Sequence, residues 1–106
     1  MDRISTEELE SLKNSGKLFK LVDVLPTDHF QEEHIEGAVN LPLKDIASEA
    51  MNRFGKEEEI IVYCKDENCS ASPKAAQKLE SIGFQNVKDY DGGLEAWKEA
   101  GNPTES

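Results

Sequence analysis

The chain has 106 residues, a length that suits one compact domain and leaves no room for a second. Apolar residues make up 37% and charged residues 32%, enough for one core of modest stability. Twelve Lys and Arg against 22 Asp and Glu give a net charge of −10, which argues against nucleic acid or an anionic membrane surface as main partner, since both demand a basic patch.

Ser5 and Glu8 form a capping-box pattern with Ile4 as its staple, and Leu9 and Leu12 supply an apolar face. The spacing predicts a helix over about residues 6–14, stopped by Gly16. Leu18 to Leu25 reads as a strand ending near Asp23, broken by Pro26. One helical turn is expected within Thr27 to Glu33, then a short strand over Ala38 to Leu41 closed by Pro42. Leu43, Ile46, Ala47, Ala50, Met51 and Phe54 recur at helical spacing, and Gly55 ends that helix. Glu59 to Tyr63 is the most strand-like run, and its continuous apolar centre suits a central parallel strand covered on both faces.

A polar stretch, Cys64 to Ala71, follows. Ser72 as N-cap and Pro73 at the first helical position predict a helix with Ala75, Ala76, Leu79 and Ile82 buried, ended by Gly83. Val87 to Tyr90 is a last strand, and Gly92-Gly93 opens a helix anchored by Leu94, Ala96 and Trp97. Residues 102–106 read as a loose polar tail to a single domain spanning 1–106. Alternating strands and helices imply an α/β domain with a mainly parallel sheet, whose binding sites lie beyond the carboxyl ends of the strands. The loop beginning at Cys64 lies there.

Cys64 and Cys69 are too few and too close for a disulfide-stapled secreted fold, and suggest local chemistry instead. With no apolar run of membrane-spanning length and no secretory pattern at Met1 to Ser5, the expected compartment is the cytoplasm. A reactive cysteine needs its thiolate stabilised. A loop held between a buried strand and a capped helix can turn its N–H groups and the helix dipole toward a sulfur. The bland alternative for Cys64 is a small hydrophobe at a strand end.

The chain resembles a single-domain rhodanese-like (sulfurtransferase) module. The resemblance rests on Leu21-Val22-Asp23-Val24, His34-Ile35-Glu36-Gly37-Ala38-Val39-Asn40-Leu41-Pro42 and Ile61-Val62-Tyr63-Cys64. It continues through Ser72, Ala75, Ala76, Leu79, Gly83 and Phe84, then Asp91-Gly92-Gly93-Leu94, Trp97, Gly101 and Pro103. It implies a five-stranded parallel sheet with helices on both sides. It also implies Cys64 as the catalytic cysteine, which takes a sulfane sulfur as a persulfide and passes it to a thiol, cyanide or a partner protein's cysteine. No cofactor or metal is implied. The N–H groups from Lys65 to Ser72 would form the anion cradle, assisted by the side chains of Lys65, Asn68 and Ser70, with Ser72 organising the loop.

This loop departs from the family pattern. Ala71 stands where an arginine is usual, the stretch from Cys64 to Ser72 is longer than common, and it carries Asp66 and Glu67. Leu25 stands where an arginine often follows Asp-Val, and Glu33 replaces a glycine before His34. A persulfide or polysulfide therefore suits the loop better than dianionic thiosulfate. Cys69 is either a bystander or a second thiol that attacks a Cys64 persulfide, leaving a Cys64–Cys69 disulfide and releasing sulfide.

Asp23 and His34 are read as supporting residues that organise backbone rather than touch substrate. His29 and His34 with the cysteines make a poor zinc signature. The Cys-x5-Arg loop of phosphatase-like relatives would put arginine at Ser70, so phosphate chemistry is disfavoured. The alternative from another class is a non-catalytic rhodanese-like interaction or redox/sulfur-sensing module.

Overall fold

The computed structural model describes residues 2–106. In chain order the elements are β1 (Asp2–Arg3), α1 (Thr6–Asn14), β2 (Lys20–Asp23), α2 (Thr27–Glu32), β3 (His34–Ile35) and β4 (Val39–Asn40). A 3-10 turn (Leu43–Asp45) leads into α3 (Ile46–Arg53), then β5 (Glu59–Tyr63), α4 (Ala71–Ser81), β6 (Asn86–Tyr90), α5 (Gly93–Glu99) and β7 (Thr104–Glu105). Both arms of the Ser5–Glu8 capping box form: Glu8 N–H donates to Ser5 Oγ (3.1 Å) and Ser5 N–H to Glu8 Oε1 (2.9 Å).

Five parallel strands lie in the order β1-β6-β5-β2-β4, so the expected α/β architecture holds. The chain runs from β2 outward to β4, then returns to lay β5 on the other side of β2 and β6 beyond it. The direction reverses between β2 and β5, and a sheet opens a crevice at the carboxyl end of such a reversal. Ile60, Ile61, Val62 and Tyr63 of β5 are fully buried, because both faces are covered. On one face Val22, Ile60, Val62 and Cys64 pack with Ile46, Ala50 and Phe54 of the α3 segment and with Ala75, Ala76 and Leu79 of α4. On the other, Leu21, Ile61, Tyr63 and Tyr90 pack with Leu9 of α1 and Trp97 of α5. Among the described residues no helix is long and apolar enough to cross a membrane.

Two carboxylates are buried in this sheet. Asp89 pairs with Val62 in register, so it points to the α4 face, and neither of its oxygens has a hydrogen-bond partner. Burial pushes its pKa up, opposed by the nearby Ser72 hydroxyl. Asp23, in register with Tyr63, points to the opposite face. Its Oδ1 accepts from Leu25 N–H (2.9 Å), and burial raises its pKa as well.

The structure corrects the sequence reading at three elements. The strand expected from Leu18 begins at Lys20, leaving Leu18 exposed. The helix expected over 43–54 opens as a 3-10 turn, and Ala47 and Met51 face solvent. The tail is not loose: β7 pairs antiparallel with β3, matching His34 with Glu105 and Ile35 with Thr104. Distant protein groups hold several of its residues. Asn102 Nδ2 donates to Glu10 Oε2 (2.6 Å), Thr104 Oγ1 to Glu33 Oε2 (2.8 Å), and Trp97 Nε1 to the Pro103 carbonyl (2.8 Å).

Helix α5 starts against the end of β5. Gly93 has φ +66°, and a Cβ there would sit 2.6 Å from the Cys64 carbonyl oxygen and 2.8 Å from the Lys65 carbonyl group. Gly93→Ala is expected to lower stability by about 2 kcal/mol or more, read by urea denaturation, since strain and backbone clash coincide. A loss under half that size would show that the loop yields. Deleting residues 103–106 is expected to cost about 1–2 kcal/mol, because the buried Trp97 N–H loses its acceptor; an unchanged melting temperature would mean that β7 contributes nothing.

The raised Asp89 gives a pH signature. Its favourable contribution is fully present below the ordinary carboxylate value of 3.8 and is lost as pH rises through the folded value. Asp89→Asn is therefore expected to gain stability over the native chain as pH is raised from the acid range to neutrality. Parallel stability profiles for the two would refute an ionised, unpaired Asp89.

Candidate active site

Cys64 follows the last residue of β5, and the alternation of the strand turns its side chain toward α4. It is 1% exposed, so its sulfur lies beneath the loop rather than on it. The first amides of α5 hold the loop's opening: Leu94 N–H donates to the Cys64 carbonyl (3.0 Å) and Glu95 N–H to that of Lys65 (2.9 Å). Gly93 packs directly against these two carbonyl groups. The α5 dipole is spent on these carbonyls, and the helix end left facing Cys64 is that of α4.

After Lys65 the chain folds back on itself. Asp66 Oδ1 accepts from Asn68 N–H (3.0 Å), and the Asp66 carbonyl accepts from Cys69 N–H (3.1 Å). This turn carries Cys69 over Cys64, and a disulfide joins the two, with Cα atoms 6.4 Å apart. Of the N–H groups of residues 65–72 expected to form a cradle, those of Asn68 and Cys69 are taken by Asp66. The Cys69 carbonyl oxygen lies 3.6 Å from Cys64 Sγ, a neighbour that suits an uncharged sulfur and not a thiolate.

Ser72 is also placed differently from expectation. Ser70 has helical backbone (φ −86°, ψ −5°) and occupies the cap position of α4 without a side-chain cap bond. Pro73 then falls third in the helix, still where an N–H has no intrahelical acceptor. Freed from capping, Ser72 is buried, and its Oγ lies 3.6 Å from Cys64 Sγ. Behind it stands Asp89. That residue was legible in principle, because Val87 and Asp89 share the inward register of β6 and a carboxylate there breaks the apolar pattern.

Lys65, Glu67, Asn68 and Ser70 are exposed, whereas Asp66, Cys69 and Ala71 are half-buried. Asp66, Glu67 and Asn68 line a cleft of about 190 Å³ together with Gly92, Glu95, Ala96 and Glu99 of the α5 segment. Four carboxylates thus meet beside the loop, and the contribution of Glu95 and Glu99 was not read from sequence. Lys65 and Lys98 lie on the adjoining side, with Leu94.

The structure does not bring Asp23 and His34 to the sulfur. Asp23 lies on the opposite face of the sheet. His34 stacks on Phe30 (ring centroids 3.7 Å apart), places Nδ1 2.7 Å from the Phe30 carbonyl oxygen, and faces Glu105 through Nε2 (3.5 Å). It ties α2 to β3 and β7.

Comparison with known proteins agrees with this fold. The chain is 33% identical over 104 residues to an HTH-type transcriptional regulator of Mycobacterium tuberculosis, covering 98% of this chain and 45% of that one. It is 32% identical over 98 residues to the chloroplastic thiosulfate sulfurtransferase 16 of Arabidopsis thaliana, covering 82% and 80%. The crystal structure of the Alr3790 protein from Anabaena sp. superposes with a TM-score of 0.90 at 32% identity, covering 97% of this chain and 80% of that one. The chain spans less than half the length of the mycobacterial relative. Residues 5–100 match the rhodanese-like domain profile, and the chain belongs to the rhodanese-like domain family.

Proposed function

We propose that the chain is a sulfurtransferase that carries sulfane sulfur as a persulfide on Cys64. The observation that carries this reading is the position of Cys64 Sγ, at the carboxyl end of the central strand, facing the α4 N-terminus and 3.6 Å from Ser72 Oγ. Relatives of the family include sulfurtransferases, which supports it.

A thiol reductant first opens the Cys64–Cys69 bond. The Cys64 thiolate then attacks the outer sulfur of the donor; a sulfur–sulfur bond forms on Cys64, and the bond to the donor breaks with its electron pair leaving on the donor. An acceptor thiolate next attacks the outer sulfur of the persulfide, takes it, and returns the thiolate to Cys64. The Ser72 hydroxyl donates to the anionic sulfur in both steps, and the α4 dipole adds to it.

The carboxylates of Asp66, Glu67, Glu95 and Glu99 repel a dianion, so a persulfide or a polysulfide with a free terminal sulfur is the preferred donor, with a low-molecular-weight thiol or a partner protein's cysteine as acceptor. A second reading, a non-catalytic interaction or sulfur-sensing module, draws on the burial of the Cys64 sulfur and the absence of arginine from residues 64–72.

The test is turnover of the reduced chain with polysulfide or thiosulfate as donor and cyanide as acceptor, scored as thiocyanate. The reading expects turnover that is lost in Cys64→Ser, faster with polysulfide, and rising with added salt when thiosulfate is the donor, as screening relieves the repulsion. No turnover with either donor, together with slow alkylation of Cys64, would replace this reading by the non-catalytic one.

A further inference from the structure

The loop holds a second sulfur that transfer to an external acceptor does not require. Cys69 is half-buried and packs against the same apolar cluster as Cys64, so its side chain is held inward rather than free in solvent. The Asp66 turn and the start of α4 bracket it on either side, which sets its backbone position independently of any bond between the sulfurs. The Cα separation of 6.4 Å lies inside the range that a disulfide spans without moving the backbone.

Which sulfur Cys69 can reach decides the chemistry. In a Cys64 persulfide the inner sulfur is Cys64 Sγ and the outer one is the transferred atom. Attack on the outer sulfur would pass it to Cys69; attack on the inner one expels it. The structure brings Cys69 Sγ to Cys64 Sγ itself, the inner position.

We propose that Cys69 is the resolving thiol of a two-cysteine site, which discharges the Cys64 persulfide as hydrosulfide and makes the chain a sulfide-releasing reductase of sulfane sulfur. This rests on Cys64 being the persulfide carrier. The Cys69 thiolate attacks Cys64 Sγ, the Cys64–Cys69 bond forms, and the bond to the outer sulfur breaks with its electron pair leaving as hydrosulfide. Hydrosulfide leaves more readily than an alkyl thiolate, because its conjugate acid is the stronger acid. A dithiol reductant then opens the disulfide, giving two thiols and its own disulfide. Over one cycle the sulfane sulfur gains two electrons and becomes sulfide, and the dithiol loses them. The structure is that of the discharged state, in which Cys64 is covered and faces a carbonyl oxygen rather than an anion cradle.

The experiment is a single turnover of the full chain. The protein is reduced, freed of reductant, and given one equivalent of an organic hydropersulfide, whose outer sulfur carries no organic group and whose leaving group is a thiolate. Released sulfide is trapped with a bimane reagent, and the protein is read by intact mass and peptide mapping. The native chain is expected to release close to one sulfide per chain with no thiol added, ending two hydrogens lighter with Cys64 and Cys69 joined. Cys69→Ser is expected to gain one sulfur on Cys64 and to release no sulfide until an external thiol is supplied; Cys69→Ala repeats the test without a hydroxyl. Equal persulfide and equal release in the native chain and both variants would overturn the resolving role while leaving Cys64 as carrier. A retained sulfur mapped to Cys69 would also overturn it, as outer-sulfur transfer. No sulfur taken up by Cys69→Ser or Cys69→Ala, and no sulfide from the native chain, would overturn both this inference and the carrier role beneath it.

Discussion

Two backbone hydrogen bonds order the candidate site: Leu94 N–H to the Cys64 carbonyl and Glu95 N–H to the Lys65 carbonyl. They join the end of the central strand to the start of α5 and leave the Cys64 side chain only the α4 side of the sheet. They also satisfy carbonyl groups that would otherwise be unpaired where the ladder ends. The close approach is possible because position 93 has no Cβ and adopts a positive φ. With the loop's first residues held, its remaining length has to turn back. Asp66 supplies the turn, and Cys69 arrives over Cys64 as a result.

The acidity of the chain takes on a local meaning around this loop. Exposed carboxylates spread over a surface do little beyond keeping it soluble. Here Asp66 and Glu67 from the loop meet Glu95 and Glu99 from α5 in one cleft. A cleft lined in this way disfavours a dianionic ligand.

Much of the fold was legible because its cues are local. The Ser5–Glu8 box, the Ile60-Ile61-Val62 run and the glycines after α1 and α4 each act within a few residues, and each marks what it was read to mark. The misread features depend on distant partners. Residues 102–106 look like a tail until Trp97, Glu33 and Glu10 are seen to hold them. Ser72-Pro73 looks like a cap because both residue types favour helix starts, yet the backbone turns helical at Ser70. Of the site, Cys64 was legible from its place after the strand. The five-residue spacing left Cys69 open between a bystander and a disulfide partner of Cys64, and the pairing is present; the meeting of Glu95 and Glu99 with Asp66 and Glu67 depends on how the loop folds back, which no spacing rule encodes.

Among the described residues the outermost strands of the sheet, β1 and β4, are two residues each, and Asp2 and Arg3 of β1 are both exposed. A strand that short presents too few free N–H and C=O groups to template pairing with a neighbour's strand. Each outer edge is therefore self-limiting, and repulsion between copies at a net charge of −10 acts in the same direction. The candidate site lies at one end of the sheet, away from both of these edges.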